Sequence, residues 1–185
     1  DSGGNARALA MVVATAAVGL AMRDPRGVVQ MLRTGLENLS WKRIALVALA
    51  VRLVWVLASG VTQTSDFGSY EQMAREISDG RYVVQAHRPT GAAILFALHY
   101  LAFGYQPLAP QLTLALLSTA QVLLVYSLVL KTTANRPAAL LAATILALWP
   151  EHILYVNLLG TDVLFSTLAL LAVWLLARFY RDSRP

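Results

Sequence analysis

The chain has 185 residues, of which 57% are apolar and 14% charged, where a typical soluble domain has roughly 45–50% and about 25%. With a mean hydropathy of +0.58, this composition excludes disorder, coiled coil and collagen and argues against a soluble globular enzyme. The absence of cysteine removes disulfides, thiolate metal sites and cysteine nucleophiles, and the net charge of +5 lies in short basic clusters between apolar blocks, a pattern of bilayer orientation rather than nucleic-acid binding.

A membrane-spanning helix needs about 20 mostly apolar residues. Residues 8–22 are a short, Ala-rich candidate. Residues 23–43 place Val28, Leu32, Leu36 and Leu39 at helical spacing among Arg23, Arg26, Arg33, Lys42 and Arg43, which predicts an amphipathic helix on the membrane surface. Residues 44–61 form a span with Arg52 inside it, followed by a polar loop over 62–90. In that loop Ser69 and Gln72 fit a capping box, Glu71 and Arg75 are an i,i+4 pair, and Phe67, Tyr70, Ala74 and Ile77 share a face. Gly80 suits the end of this helix, and Asp66 falls just before its start. The apolar run 91–104 is too short to cross, 108–130 is a strong span, and 137–159 opens on Pro137 and is interrupted by Pro150. Residues 163–180 close the set, with Arg178 near their end.

Charge selects the topology. If 91–104 does not cross, Arg23, Arg26, Arg33, Lys42, Arg43, Lys131, Arg136, Arg178, Arg181 and Arg184 share one face, and Asp1, Asp66, Glu71, Glu76, Asp79, Glu151 and Asp162 share the other. The positive-inside rule favours this arrangement. The expectation is an all-α, polytopic membrane bundle of about five spanning helices with its N-terminus outside. Residues 1–43 hold the extra apolar helix and the surface helix. Residues 44–185 hold the membrane module, with 62–107 as a helical extracytoplasmic loop.

This topology gathers Asp66, His87, Arg88, Glu151, His152 and Asp162 at one membrane boundary. Acids beside phosphate-binding groups suit polar chemistry on a lipid-linked substrate. Each has a plainer role as well: Asp66 as a solvated acid or helix cap, Asp162 at a helix N-terminus, Glu151 and His152 as interfacial residues. Arg52, in mid-span, is expected to pair inside the bundle or to reach a lipid phosphate or a nearby acid. His99 and Trp41, Trp55, Trp149 and Trp174 require only packing or interfacial roles. No P-loop, HExxH, GxSxG or GxGxxG motif occurs.

The order TSDFGSYEQMAREISDGRYV, HRPTGAAILFALHYLAFG, KTTANRP and WPEHILYVNLLGTDVLFSTLALLAVWLLARFYRD resembles the N-terminal part of the GT-C superfamily of membrane glycosyltransferases, in the branch similar to bacterial protein O-mannosyltransferases and aminoarabinose transferases. It covers roughly residues 41–185. The resemblance implies an enzyme of the bacterial inner membrane, active on its extracytoplasmic face, that transfers a sugar from a polyprenyl-phosphate donor with inversion. Asp66 matches the general base and Asp162 the second acid, which in relatives helps bind acceptor or a metal. Glu151 competes for that second role. Arg88 matches a position near the donor phosphate, with His87 a weaker candidate. A divalent metal, if used, would fall to Asp66 and Asp162, although Asp66 lacks the neighbour of a DxD motif. Expected partners are the polyprenyl-linked sugar, membrane lipids and other membrane subunits, with no nucleic acid.

Two features depart from the pattern. An apolar run precedes the usual first span, and family members continue for several further spans after the point matching Arg-Asp-Ser-Arg-Pro. The chain is therefore expected to be the N-terminal part of such an enzyme or a reduced relative. The alternative is a non-catalytic membrane scaffold or accessory subunit with the same architecture. A transporter ranks third, because polar residues within the spans look scarce apart from Arg52.

Overall fold

The computed structural model describes residues 39–60, 62–81 and 88–182. The expected span over 8–22, nearly all of the surface helix over 23–43, and His87 lie outside the described residues. Every regular element among the described residues is helical.

Helix α1 covers Trp41–Ala58. It begins before the expected position, so Lys42 and Arg43 belong to it and not to a preceding surface helix. Its first turn is anchored by Trp41, which stacks on Tyr126 at 6.4 Å between ring centroids. Helix α2, Ser65–Ser78, also begins early. The capping-box expectation at Ser69 is corrected: the Ser69 hydroxyl donates back to the Ser65 carbonyl at 3.3 Å, inside a helix already under way. Asp66 therefore sits in the first turn, where an acid complements the exposed amides. The far end matches expectation. Gly80 adopts φ +70°, its N–H donates to the Ile77 carbonyl, and the Arg81 N–H donates to that of Glu76, the paired bonds of a glycine-terminated helix.

Helix α3, Gly91–Phe103, lies against α2 through Ala92, Ala93, Phe96, Ala97 and Tyr100, while Met73 and Ala74 face it. Alanines at close spacing let the two backbones approach. At 1.5 Å per residue α3 is about 20 Å long, short of the roughly 30 Å hydrocarbon core. His99 has a packing role: its ring nitrogens meet the Leu95 carbonyl and Thr113 Oγ1, each at 2.7 Å, tying α3 to the next helix.

Helix α4, Leu108–Thr133, is the centre of the bundle and contacts α1, α3, α5 (Arg136–Leu148) and α7 (Asp162–Asp182). The start of α5 follows from its sequence, since Asn135 accepts from the Ala138 N–H at 3.1 Å and Pro137 stands in the first turn. After Trp149 the chain bends by 53° into the short α6, Pro150–Leu154, and the 3₁₀ turn Tyr155–Asn157. Trp41 on Tyr126 and Arg52 on Ser118 make α1 antiparallel to α4. Gln121 on Thr167 and Ser127 on Trp174 make α4 and α7 parallel.

Among the described residues two helices, α4 and the 162–180 stretch of α7, are long and apolar enough to cross a membrane, and three are if α5 with its bent continuation is one span. Helix α1 has 18 residues but carries Lys42, Arg43 and Arg52. Large apolar side chains cover the outside of the bundle, among them Leu46, Val54 and Leu57 on α1 and Phe165, Leu176 and Phe179 on α7. Such continuous apolar surface suits lipid and not water. The protein is a helical membrane protein.

Candidate functional site

The site begins at the break in the third apolar segment. Pro150 has no N–H, so the Leu146 carbonyl loses its i+4 donor and keeps only the Trp149 N–H at 3.4 Å, and the bend takes the Ala147 carbonyl out of the ladder as well. Arg52 supplies donors to both. Its guanidinium is fully buried and donates to the carbonyls of Ala147 (3.1 Å), Leu146 (3.4 Å) and Ala48 (3.0 Å) and to Ser118 Oγ (2.8 Å). Ser118 passes the connection on, donating to the His152 carbonyl at 3.4 Å. Arg52 thus pairs inside the bundle, with neutral acceptors and not with an acid.

One turn further, Asn157 organises a second set of bonds. Its carbonyl accepts from Gln63 Nε2 (2.7 Å) and Gln111 Nε2 (3.0 Å), and its amide donates to the Trp55 carbonyl (3.3 Å) and to Ser59 Oγ. Gln63 also accepts from the Leu159 N–H at 2.9 Å. These contacts join the end of α1, the start of α4 and the turn before α7. Gln121 does the same deeper in the bundle, its two Nε2 N–H groups shared among the Val163 carbonyl, Ser166 Oγ and Thr167 Oγ1. The expectation that polar residues are scarce within the spans is corrected: Gln111, Ser118, Thr119, Gln121, Asn157 and Thr167 are all buried. Their signal in the sequence is the presence of an amide or hydroxyl within an apolar run.

Above this frame Glu151, His152 and Asp162 line a cavity of about 300 Å³ with Tyr155, Val163, Phe165 and Ser166. The sequence reading had singled out the first three but not Tyr155, Phe165 or Ser166. Asp162 opens α7, with Thr161 before it accepting the Phe165 N–H at 2.7 Å. Ser166 Oγ donates to the Asp162 carbonyl at 2.6 Å.

Asp66 and Arg88 form a separate group. Arg88 Nη2 lies 3.2 Å from Asp66 Oδ1, with the Asp66 side chain 76% exposed and that of Arg88 24%. The carboxylate is therefore open to a ligand while the arginine is anchored. Asp66 does not line the cavity, but its neighbour Phe67 connects the two groups. The Phe67 ring meets Tyr155 edge-on at 6.2 Å. It also packs on Gly160, where an added Cβ would come within 2.8 Å of the ring and 2.9 Å of Asp162 Oδ2. Gly160 is thus the space through which α2 docks on the start of α7.

No protein-family model, curated protein or solved structure matches this chain.

Among the described residues no three Asp, Glu or His side chains converge as a metal ion would require. Asp66 faces Arg88, and no step below runs through a metal. The arrangement can accept a proton at Asp66, hold an anion at Arg88, and bind hydroxyl groups at Glu151, Asp162 and Ser166.

Proposed function

We propose that this chain carries the catalytic end of an integral-membrane glycosyltransferase that takes a sugar from a polyprenyl-phosphate donor and inverts its anomeric carbon. The observation that carries the reading is the Asp66–Arg88 contact at 3.2 Å, which pairs a proton acceptor with a phosphate-binding fork. In this reading the chain has five spans, with α2 and α3 in an extracytoplasmic loop. The donor phosphate takes the Arg88 guanidinium, which can hold two phosphate oxygens at once, and Asp66 is released. The acceptor oxygen bonds to the anomeric carbon as the bond from that carbon to the phosphate oxygen breaks. The hydroxyl proton passes to Asp66, and the polyprenyl phosphate leaves with its charge held at Arg88. Glu151 and Asp162 orient the hydroxyls in the adjoining cavity. His87 stays a weaker partner for phosphate.

A non-catalytic scaffold draws on the same observation, because an ion pair between α2 and the segment before α3 also fastens the loop. Substitution separates the two readings. Asp66→Asn keeps the shape and removes the proton acceptor, and it should lower transfer from a polyprenyl-phosphate sugar by about 10²–10⁴-fold, with expression and donor binding near normal. Exchanging the pair, Asp66→Arg with Arg88→Asp, should leave a scaffold assembled and an enzyme inactive. Full transfer activity in Asp66→Asn would remove Asp66 from catalysis.

A further inference from the structure

Asp66 stands in the first turn of α2, and that turn is not fixed by the helix itself. Thr64 occupies the N-cap, but its side chain makes no capping bond, so the usual local device for setting a helix start goes unused. Beside it Ser65 adopts φ +54°, a left-handed conformation in which a residue with a Cβ is strained. Such a residue persists where the surrounding structure over-determines it. Here the constraint comes from both sides of Ser65.

On one side Gln63 is bonded twice to the turn that precedes α7. Its Nε2 donates to the Asn157 carbonyl at 2.7 Å, and its Oε1 accepts the Leu159 N–H at 2.9 Å. One amide thus grips two peptide groups, which fixes its direction as well as its place. The grip has a firm footing, because Asn157 is fully buried, its carbonyl also accepts from Gln111 and its amide donates to the Trp55 carbonyl. On the other side Phe67 is seated on Gly160 and against Tyr155. The fold between the two is tight: a Cβ added at Gly68 would come within 3.1 Å of the Gln63 carbonyl oxygen. The segment carrying Asp66 is therefore pinned at two points to residues 155–160. Tyr155 and Asp162, at either end of that stretch, line the cavity, so the cavity wall and the segment bearing the carboxylate are one piece of structure.

We propose that Gln63 is a positioning residue for Asp66. Through its bonds to Asn157 and Leu159, with Phe67 as the second pin, it holds the carboxylate at a set place relative to the cavity where the acceptor hydroxyl is bound. This rests on the glycosyltransferase reading, in which Asp66 takes the hydroxyl proton. Proton transfer requires an approach of about 2.6–3.2 Å between heavy atoms, and a misplacement of about 1 Å can cost about 10²-fold. The Asp66 side chain is 76% exposed, so its aim depends on where the backbone beneath it is held.

The test follows release of radiolabelled sugar from polyprenyl-phosphate hexoses and pentoses by the full-length protein, with water as the acceptor, since water gives up its proton at the same point as an acceptor hydroxyl. Gln63→Leu keeps much of the volume and removes both bonds. It should lower kcat by about 10–10²-fold and leave the KM for the donor within about twofold. The deciding measurement is the same substitution made in Asp66→Asn. With no base left to aim, Gln63→Leu should cost nothing further, whereas a residue that merely holds the fold together costs the same factor in both backgrounds. If Gln63→Leu fails to fold, Phe67→Leu leaves the Gln63 bonds in place, removes the other pin and goes through the same cycle with the same expectation. An unchanged kcat, a loss confined to KM, or an equal loss with and without the Asp66 carboxylate overturns the positioning role and leaves the glycosyltransferase reading standing. Absence of release by the unsubstituted protein overturns that reading and the positioning role with it.

Discussion

Along α4 and α7 the backbone runs unbroken from Leu108 to Thr133 and from Asp162 to Asp182, and its amides are bonded within each helix. Between Trp149 and Gly160 the chain bends, passes through five residues of α6 and a 3₁₀ turn, and leaves carbonyls without their i+4 donors. Side chains from distant parts of the chain make up the difference there: Arg52 for Leu146 and Ala147, Gln63 and Gln111 for Asn157. In an apolar medium each buried polar group needs a partner. An unbroken helix is self-sufficient and can present lipid-facing apolar side chains, whereas a broken one draws polar groups into the bundle. The same break leads directly to Glu151 and His152 on the cavity. The place where the fold is most demanding is therefore where a polar site becomes affordable.

That contrast can be broken most forcefully at Arg52. Arg52→Met keeps much of the volume and removes the donors to the carbonyls at the bend. An unsatisfied buried acceptor costs about 1–3 kcal/mol, so the variant should lose about 2–4 kcal/mol in thermal unfolding in detergent. Arg52→Lys should recover part of it. An unchanged midpoint in Arg52→Met would mean that the bend satisfies itself.

Gly160→Ala tests the docking of α2 on the far side of the bend. The new methyl would overlap the Phe67 ring and crowd Asp162, and overpacking typically costs about 1–3 kcal/mol. The same methyl placed at Gly91, where nothing lies within 4 Å of the added Cβ, should not meet any neighbour. Equal stability losses at the two glycines would argue against close packing of Phe67 on Gly160.

The smallest effect is expected at the exposed end of α2. Asp79 accepts from the Tyr105 hydroxyl and from Arg81, and these contacts hold its carboxyl below the usual carboxylate range. A depressed native value means that the contribution is present above the ordinary carboxylate range and fades as pH falls through the lowered one. Limited proteolysis near Asp79 should therefore increase only on acidification, and Asp79→Asn should remove that pH dependence. Proteolysis that rises with increasing pH would contradict the sign.

Features built from neighbours in sequence were legible before any coordinates. Glu71 and Arg75 do pair, at 2.6 Å, Gly80 does close α2, and Pro150 does interrupt its segment. Ala74 of the expected apolar face is buried, with Tyr70 and Ile77 packed against the same core. Each depends on contacts within a turn or two. The start of α2 was misread because Ser69 and Gln72 fit a cap pattern equally well from inside a helix. The hydrogen bonds of the bend were hidden for another reason: Arg52 meets its partners across 66 to 95 residues and Asn157 meets Trp55 across 102. No periodicity encodes such a pairing. The grouping of Glu151, His152 and Asp162 was anticipated from charge and topology, but the separate pairing of Asp66 with Arg88 depends on how α2 seats itself, which the motifs did not specify.

The long sequence distances at Arg52 also impose an order on biosynthesis. Its serine partner is made 66 residues later and the Ala147 carbonyl 95 residues later. With synthesis at about 5–20 residues per second, the guanidinium waits roughly 5–20 s for the last of them. An arginine alone at the centre of a bilayer helix costs about 2.5–3.5 kcal/mol on insertion scales. In the five-span reading proposed above, helix α1 is sheltered by the insertion machinery, or stays near the membrane surface, until α4 and α5 have emerged. Its final seating is a late event in the life of a segment that was made early.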